Sequence, residues 1–160
     1  SEMCIRDSPL ARGVLFVAGM VFLTVLSGGL VAGLNAGFYF NTFPLMGGQI
    51  VPPGYLMLEP WWSNLTENPA SVQFHHRVLA LTTFALVVAA WWVGRKRTQA
   101  AESRRALNAM LAAGILQVAL GITTLLTTVW LPAASLHQAG ALVLLSASIW
   151  ASHTLWRPKS

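Results

Sequence analysis

Four long apolar stretches alternate with short polar or proline-rich segments along this chain. The stretches cover residues 14–34, 76–93, 106–129 and 133–155. Each is close to the roughly 20 residues that a helix needs to cross the hydrocarbon core of a bilayer. Pro132 stands just before the fourth stretch and Pro158 follows its end, which suits the start and the stop of a helix. The pattern predicts an all-α, polytopic membrane protein, a four-helix bundle with a long loop between its first and second helices.

The connections between the stretches differ in length and in charge. The first covers residues 35–74 and is rich in proline and aromatic residues, and its charged side chains are Glu59 and Glu67 alone. A loop of this length is usually functional, and its aromatic residues suit the membrane–water interface. The third connection, around Pro132, is short and uncharged. The second is short and basic and contains Arg95, Lys96, Arg97, Arg104 and Arg105.

The positions of the basic residues predict how the helices are oriented in the membrane. Cytoplasmic loops carry an excess of lysine and arginine, which places the second connection in the cytoplasm. Arg12, Arg157 and Lys159 then lie on the same side, as an even number of spans requires. We therefore expect both termini in the cytoplasm, and the long loop of residues 35–74 outside.

The composition agrees with a membrane protein and excludes several other classes. Hydrophobic residues make up 55% of the chain and charged residues 9%, whereas soluble domains average about 25% charged residues. Membrane lipid is the expected surrounding of the bundle. The net charge of +5 would suggest nucleic acid in a soluble protein, but the basic residues lie mainly in the segments assigned to the cytoplasm, so no nucleic-acid partner is expected. Cys4 is the single cysteine, which excludes an intrachain disulfide and a cysteine-based metal site.

The chain divides into three segments. Residues 1–12 are expected to be a leader that precedes the membrane domain. They lack the layout of a signal peptide, and the first letters, SEMCIRDS, do not fit the rest of the sequence. Residues 13–156 form the four-span membrane domain, and residues 157–160 form a cytoplasmic tail. The chain starts at Ser1 without a methionine, and we expect a truncated gene.

Three histidines are predicted at the outer ends of two helices that run in the same direction. His75 and His76 stand at the start of the second stretch, and His137 lies within the first two turns of the fourth. Because both helices run from outside to inside, these imidazoles can lie at similar depth. Two imidazoles that face each other across a bundle core are what bis-histidine ligation of a haem iron requires. His153, at the inner end of the fourth helix, cannot join them.

The residues around the histidines are compatible with a bound porphyrin. Gly140 and Ala141 follow His137 at the helical spacing of three and four residues. Ala80 lies one turn after His76 on the same helical face. Small side chains at these positions would let a flat macrocycle approach both helices.

The same region also has plainer interpretations, which the sequence leaves open. Both helix-end histidines could be interfacial polar residues, and only one of His75 and His76 can face an iron, since adjacent helix positions point about 100° apart. Arg77 could pair with a haem propionate, because a guanidinium matches carboxylate geometry, or could extend to lipid headgroups. The G-x-x-x-G repeat over residues 29–37 is typical of helix packing as well as of a cofactor slot. Gln117 suggests a buried amide with a structural role, and a zinc site is disfavoured because too few ligands are available.

Three runs of sequence resemble one known family. They are GGLVAGLNAGFYFNTFPLMGGQIVP, ENPASVQFHHRVLA and LGITTLLTTVWLPAASLHQAGALVLL. From about Val14 to Trp156 the chain is similar to the C-terminal half of haem A synthase, of the cysteine-poor type found in proteobacteria and mitochondria. On that resemblance the family's QF-x-HR motif falls on His76 and its HQ-x-GA motif falls on His137. These two residues would be the axial ligands of the haem iron.

The resemblance implies a fold, a reaction and partners. Family members have eight helices in two pseudo-symmetric halves, and they oxidise a ring methyl of haem O to a formyl group, giving haem A for cytochrome oxidase. This chain would bind haem b, with the substrate haem O in the absent N-terminal half and haem O synthase as its supplier. The expected location is the bacterial inner membrane rather than the mitochondrial one. An oxidoreductase is implied, although the 160 residues alone should be inactive. The electron acceptor is not identified, and a homo-oligomer is compatible with the sequence.

Two other functions stay open at this point. A non-enzymatic membrane cytochrome b, which only passes electrons, would use the same histidine pair. A small membrane scaffold without a cofactor would not need the histidine pair. A haem spectrum separates the scaffold from the other two, and a turnover assay with haem O separates the enzyme from the cytochrome.

Overall fold

A computed structural model describes residues 9–156 of the chain. Its four long helices are α1 (Pro9–Gly33), α2 (Pro69–Arg97), α3 (Ala101–Leu126) and α4 (Leu131–Trp156). All four are long and apolar enough to cross a membrane, which confirms the predicted all-α polytopic bundle. The first eight residues of the expected leader and the expected tail, residues 157–160, lie outside the described residues.

Helix α2 begins at Pro69 rather than at His76, where the apolar stretch starts. Asn68 caps the helix, because its side chain accepts a hydrogen bond from the backbone N–H of Ser71, and proline at the first helical position is pre-organised for a helix. Ala70, Ser71, Val72 and Gln73 in its first turns are buried, and the long loop is hydrogen-bonded to Ser71 and Gln73. The two adjacent histidines, His75 and His76, therefore lie within the helix and not at its N-terminus.

The helices form a ring in chain order. Helix α1 packs against α2 and α4, and α3 packs against α2 and α4, so α2 and α4 face each other across a diagonal of the bundle. One end of the bundle holds the basic connection between α2 and α3, and we call it the basic end. The other end holds the segment 34–68, and we call it the loop end.

The buried apolar core lies toward the basic end of the bundle. Its members are Ala11, Val14, Val17, Val21, Val87, Ala106, Leu107, Met110, Leu144, Ala151 and Leu155. Toward the loop end, α1 has no buried residue after Val21 and α3 has none after Gly114, both helices being fully described. The loop-end interior is thus lined by glycines and half-buried side chains. The histidines of α2 and α4 lie in this part of the bundle.

The segment 34–68 folds back onto the loop end of the bundle. Asn41 ties it to α3, because its side-chain amide donates to the carbonyls of Gly37, at 2.8 Å, and Leu125, at 3.1 Å. The backbone N–H of Leu56 donates to the hydroxyl of Ser71 in α2, at 3.0 Å. Two short 3-10 helices, Ala36–Phe38 and Trp61–Leu65, stiffen the segment. The long loop is therefore an ordered cap over α2 and α3.

Candidate functional site

The ring of His76 lies against helix α1. Its Nδ1 atom is 2.7 Å from the hydroxyl oxygen of Ser27. A Cβ atom added at Gly28 would stand 3.3 Å from the Cε1 atom of the imidazole, so the ring rests on a stretch of backbone that carries no side chain. The absence of a side chain at position 28 thus creates the seat for the imidazole.

The ring of His137 is seated in the same way on helix α3. A Cβ atom added at Gly121 would stand 2.9 Å from its Cε1 atom, closer than two carbon atoms normally approach. One turn away along α3, the side-chain amide of Gln117 donates to the backbone carbonyl of His137 at 2.9 Å. The Nδ1 atom of His137 is buried and has no hydrogen-bond partner within the described residues.

The two imidazoles lie on helices α2 and α4, which face each other across the diagonal of the bundle. Each ring is held from the side, His76 by α1 and His137 by α3. Within residues 9–156, no group of three or more His, Cys, Asp and Glu side chains is placed to hold a metal ion. Two histidine nitrogens are the protein ligands that a bis-histidine haem iron requires.

The other two histidines are turned elsewhere. The Nε2 atom of His75 is 3.2 Å from the hydroxyl of Tyr55 in the cap, and the two rings meet edge to face with centroids 5.5 Å apart. His153 is exposed in the last turn of α4, sixteen residues beyond His137 (153 − 137), or about 24 Å along the helix. Neither shares the space between His76 and His137.

Arg77 binds the cap. Its Nη2 atom donates to the carbonyl of Phe40 at 2.6 Å, and its Nη1 atom donates to the carbonyl of Thr42 at 2.9 Å. The side chain of Gln73, one turn earlier in α2, donates to the same Phe40 carbonyl at 3.0 Å. The Nε atom of Arg77 is buried and has no partner within the described part of the chain. The guanidinium therefore fastens the cap to the helix that carries His76.

The small residues singled out in the sequence have other neighbours than expected. Gly29 and Gly33 have open space where a Cβ atom would stand, whereas a Cβ atom added at Gly37 would be 2.9 Å from the Cγ2 atom of Val129. Gly140 makes room for the side chain of Gln117, whose Oε1 atom would be 2.5 Å from an added Cβ atom. The glycines that seat the imidazoles are instead Gly28 and Gly121. The sequence signal for both was weak, a glycine within an apolar helix.

A hydroxyl pair joins α1 and α2 one turn from the Ser27–His76 contact. The hydroxyl oxygens of Thr24 and Thr83 are 2.9 Å apart, and the hydroxyl of Thr24 also lies 2.8 Å from the carbonyl of Met20. Thr83 follows His76 by seven residues, or about two helical turns, so it lies close to the same face of α2. Its contact shows that this face of α2 points toward α1 in this part of the bundle.

The chain was compared with known proteins. It matches the model of the cytochrome oxidase assembly protein family over residues 5–149. The heme A synthase of Nitrosospira multiformis is 45% identical over 150 residues, which cover 91% of this chain and 42% of that protein. The heme A synthase of Rhodospirillum centenum is 44% identical, over 97% of this chain and 41% of that protein. The mouse heme A synthase is 43% identical, over 88% of this chain and 34% of that protein.

The chain belongs to the cytochrome oxidase assembly protein family, and the resemblance found in its motifs is confirmed. It spans about two fifths of the length of the bacterial relatives it matches. No solved structure matches it. Membership in this family agrees with the four helices that are long and apolar enough to cross a membrane, and both findings indicate a membrane protein.

Proposed function

We propose that this member of the cytochrome oxidase assembly protein family is the haem b-binding half of a haem A synthase. The observation that supports it most is the pair of imidazoles on the diagonal helices, each seated on a glycine of a neighbouring helix. In this proposal His76 and His137 are the two axial ligands of the iron. His75 is not a ligand, because its ring is turned to Tyr55 of the cap.

The residues present fit a haem. Two neutral imidazoles are the donor set of a six-coordinate, low-spin iron. The apolar core lies toward the basic end, while glycines and half-buried side chains surround the histidines. Arg77, fastened to the cap beside His76, brings a cation with a free Nε–H to this end of the site. A propionate of the haem is the proposed partner of that group.

When bound, the haem would act as a one-electron carrier, and the residues of this chain would hold the iron and orient its ligands. His76 and His137 would fill both axial positions, which leaves none for oxygen or substrate and suits electron transfer. Seating each ring on backbone fixes its orientation before binding, so little rotamer freedom is lost when the iron is ligated. The cap is hydrogen-bonded to both α3 and α2 at the loop end, so it lies over the end of the bundle that would hold the haem.

The activity proposed for the whole protein is the oxidation of a ring methyl of haem O to a formyl group, giving haem A. The relatives named heme A synthase support it. Haem O would bind in the part of the protein that this chain does not span, and haem O synthase would supply it. The chain alone is proposed to be inactive. The basic connection between α2 and α3 supports cytoplasmic termini in the bacterial inner membrane.

Alanine substitutions test the ligand assignment. His76→Ala and His137→Ala should each abolish the low-spin haem spectrum of the chain purified from haem-producing cells, because one axial ligand is lost. His75→Ala and His153→Ala are the matched controls and should keep it, since neither ring lies in the site. A normal low-spin spectrum in His137→Ala would refute the proposal.

A non-enzymatic membrane cytochrome b is the second candidate. If His76 and His137 both ligate the iron, no position is left for a substrate, and such an iron exchanges electrons only. Joining this chain to the remaining part of a relative and assaying the conversion of haem O to haem A separates the two. Turnover that depends on His76 and His137 favours the enzyme, whereas a reducible haem without turnover favours the cytochrome.

A further inference from the structure

The hydroxyl of Ser27 makes two short contacts, and their geometry sets the position of a proton. Its Oγ atom is 2.8 Å from the carbonyl oxygen of Thr24 in the same helix. The same atom is 2.7 Å from the Nδ1 atom of His76, which lies 49 residues away in the chain. A serine hydroxyl has one hydrogen to donate and two lone pairs to accept with.

Only one arrangement of hydrogens satisfies both contacts. A carbonyl oxygen can only accept, so the serine hydrogen must point to Thr24. Ser27 must then accept from His76, which requires the imidazole proton to be on Nδ1. In the reverse arrangement, Ser27 would donate to Nδ1. Two oxygen atoms would then stand 2.8 Å apart with no hydrogen between them, and their lone pairs would repel each other.

We propose that Ser27 is a positioning residue that holds His76 in the tautomer with its proton on Nδ1 and its lone pair on Nε2. The inference rests on the proposed function, because it assigns Nε2 as the nitrogen that meets the iron. Metal-bound histidines usually donate their second ring nitrogen to an oxygen acceptor, which fixes the ring and makes it a stronger base. Ser27 supplies that acceptor from α1.

The two candidate ligands differ in this respect. The Nδ1 atom of His137 is buried without a partner among the described residues, and its ring is held by packing on Gly121. Only the imidazole of His76 therefore has its donor strength raised by a hydrogen bond. A stronger imidazole donor stabilises ferric iron more than ferrous iron, so this bond should lower the reduction potential of the haem.

The test compares three variants of the chain, each purified with haem. Ser27→Ala should keep a low-spin spectrum, lose about tenfold in haem affinity and shift the potential to a more positive value. Ser27→Thr retains the hydroxyl and should restore both properties. Ser146→Ala is the control, because that serine hydroxyl bonds only the carbonyl of Leu142, at 2.8 Å, and should leave both unchanged.

A second measurement separates this inference from the proposed function. Nitrogen-15 NMR of the haem-free chain should find the proton of His76 on Nδ1, and Ser27→Ala should release that preference. An unchanged potential in Ser27→Ala, an equal shift in Ser27→Thr, or a proton on Nε2 would each overturn the role of Ser27 while haem binding stands. A chain with the Nδ1 proton that takes up no haem would instead refute the proposed function.

Discussion

A side chain at Gly121 should interfere with haem binding more than with folding. An added Cβ atom would stand 2.9 Å from the Cε1 atom of His137, whereas carbon atoms in contact are normally about 3.5 Å or more apart. The ring would have to retreat by roughly 0.6 Å. In the haem-free chain the imidazole can make this adjustment by a small rotation. Once iron holds its nitrogen, the rotation is blocked and the strain remains.

The expected magnitude follows from overpacking in well-packed sites, which costs about 1–3 kcal/mol. At about 1.4 kcal/mol for each factor of ten, Gly121→Ala should weaken haem binding roughly 5- to 150-fold. The helix itself should gain up to about 1 kcal/mol, because alanine is a better helix former than glycine. Unfolding of the haem-free chain should therefore be unchanged or shifted to slightly higher stability.

The assay is haem titration of the detergent-purified chain, followed through the Soret absorbance, with unfolding measured in parallel. Gly28→Ala places its Cβ atom 3.3 Å from the ring of His76 and should have a smaller effect. Gly29→Ala is the matched control, because nothing lies within 4 Å of its added Cβ atom. The expected order of affinity loss is Gly121, Gly28, Gly29. Equal haem affinity in all three variants would refute the reasoning.

Two further predictions concern the contacts around the site. The hydroxyl of Thr24 donates to the carbonyl of Met20, so the hydroxyl of Thr83 must donate to Thr24. Thr83→Val should therefore lower the free energy of unfolding by about 0.6 kcal/mol. Thr24→Val should lower it more, because the buried hydroxyl of Thr83 is then left without its acceptor. Equal unfolding midpoints of the two variants in detergent would contradict this. Arg77→Lys keeps the charge but cannot donate to both cap carbonyls, so chymotrypsin should cleave residues 39–62 faster than in the parent chain, and an unchanged cleavage rate would contradict the clamp.

Much of the fold could be predicted from the sequence, because spanning a bilayer is a local property. A run of about twenty apolar residues satisfies its own backbone as a helix and needs no partner to be recognised. The four stretches correspond to α1, α2, α3 and α4, and each helix starts before its stretch, by two residues for α4 and by five to seven for the others. A common depth of His76 and His137 was predicted from helix direction and position in the chain, and it stays a prediction. Their role as ligands stays a proposal.

The surroundings of these histidines depended on the tertiary structure. Ser27 and His76 are 49 residues apart, and their contact depends on how α1 and α2 are rotated against each other. The imidazole of His76 lies against Gly28 and not against Gly29 or Gly33, which also depends on this rotation of the helices. The partners of His75 and Arg77 lie in the cap, whose path is determined by many side-chain contacts and by no periodic pattern.

The sequence by itself thus determined that the chain is a four-helix membrane bundle, and it predicted two histidines at one depth. Apolar length and helical periodicity were sufficient for that. The tertiary structure decided which helix seats each imidazole and, through Ser27, which nitrogen of His76 carries the proton. The physical reason is that a hydrogen bond or a packed ring forms only within narrow limits of distance and angle. A sequence pattern specifies the face of a helix only to within a fraction of a turn.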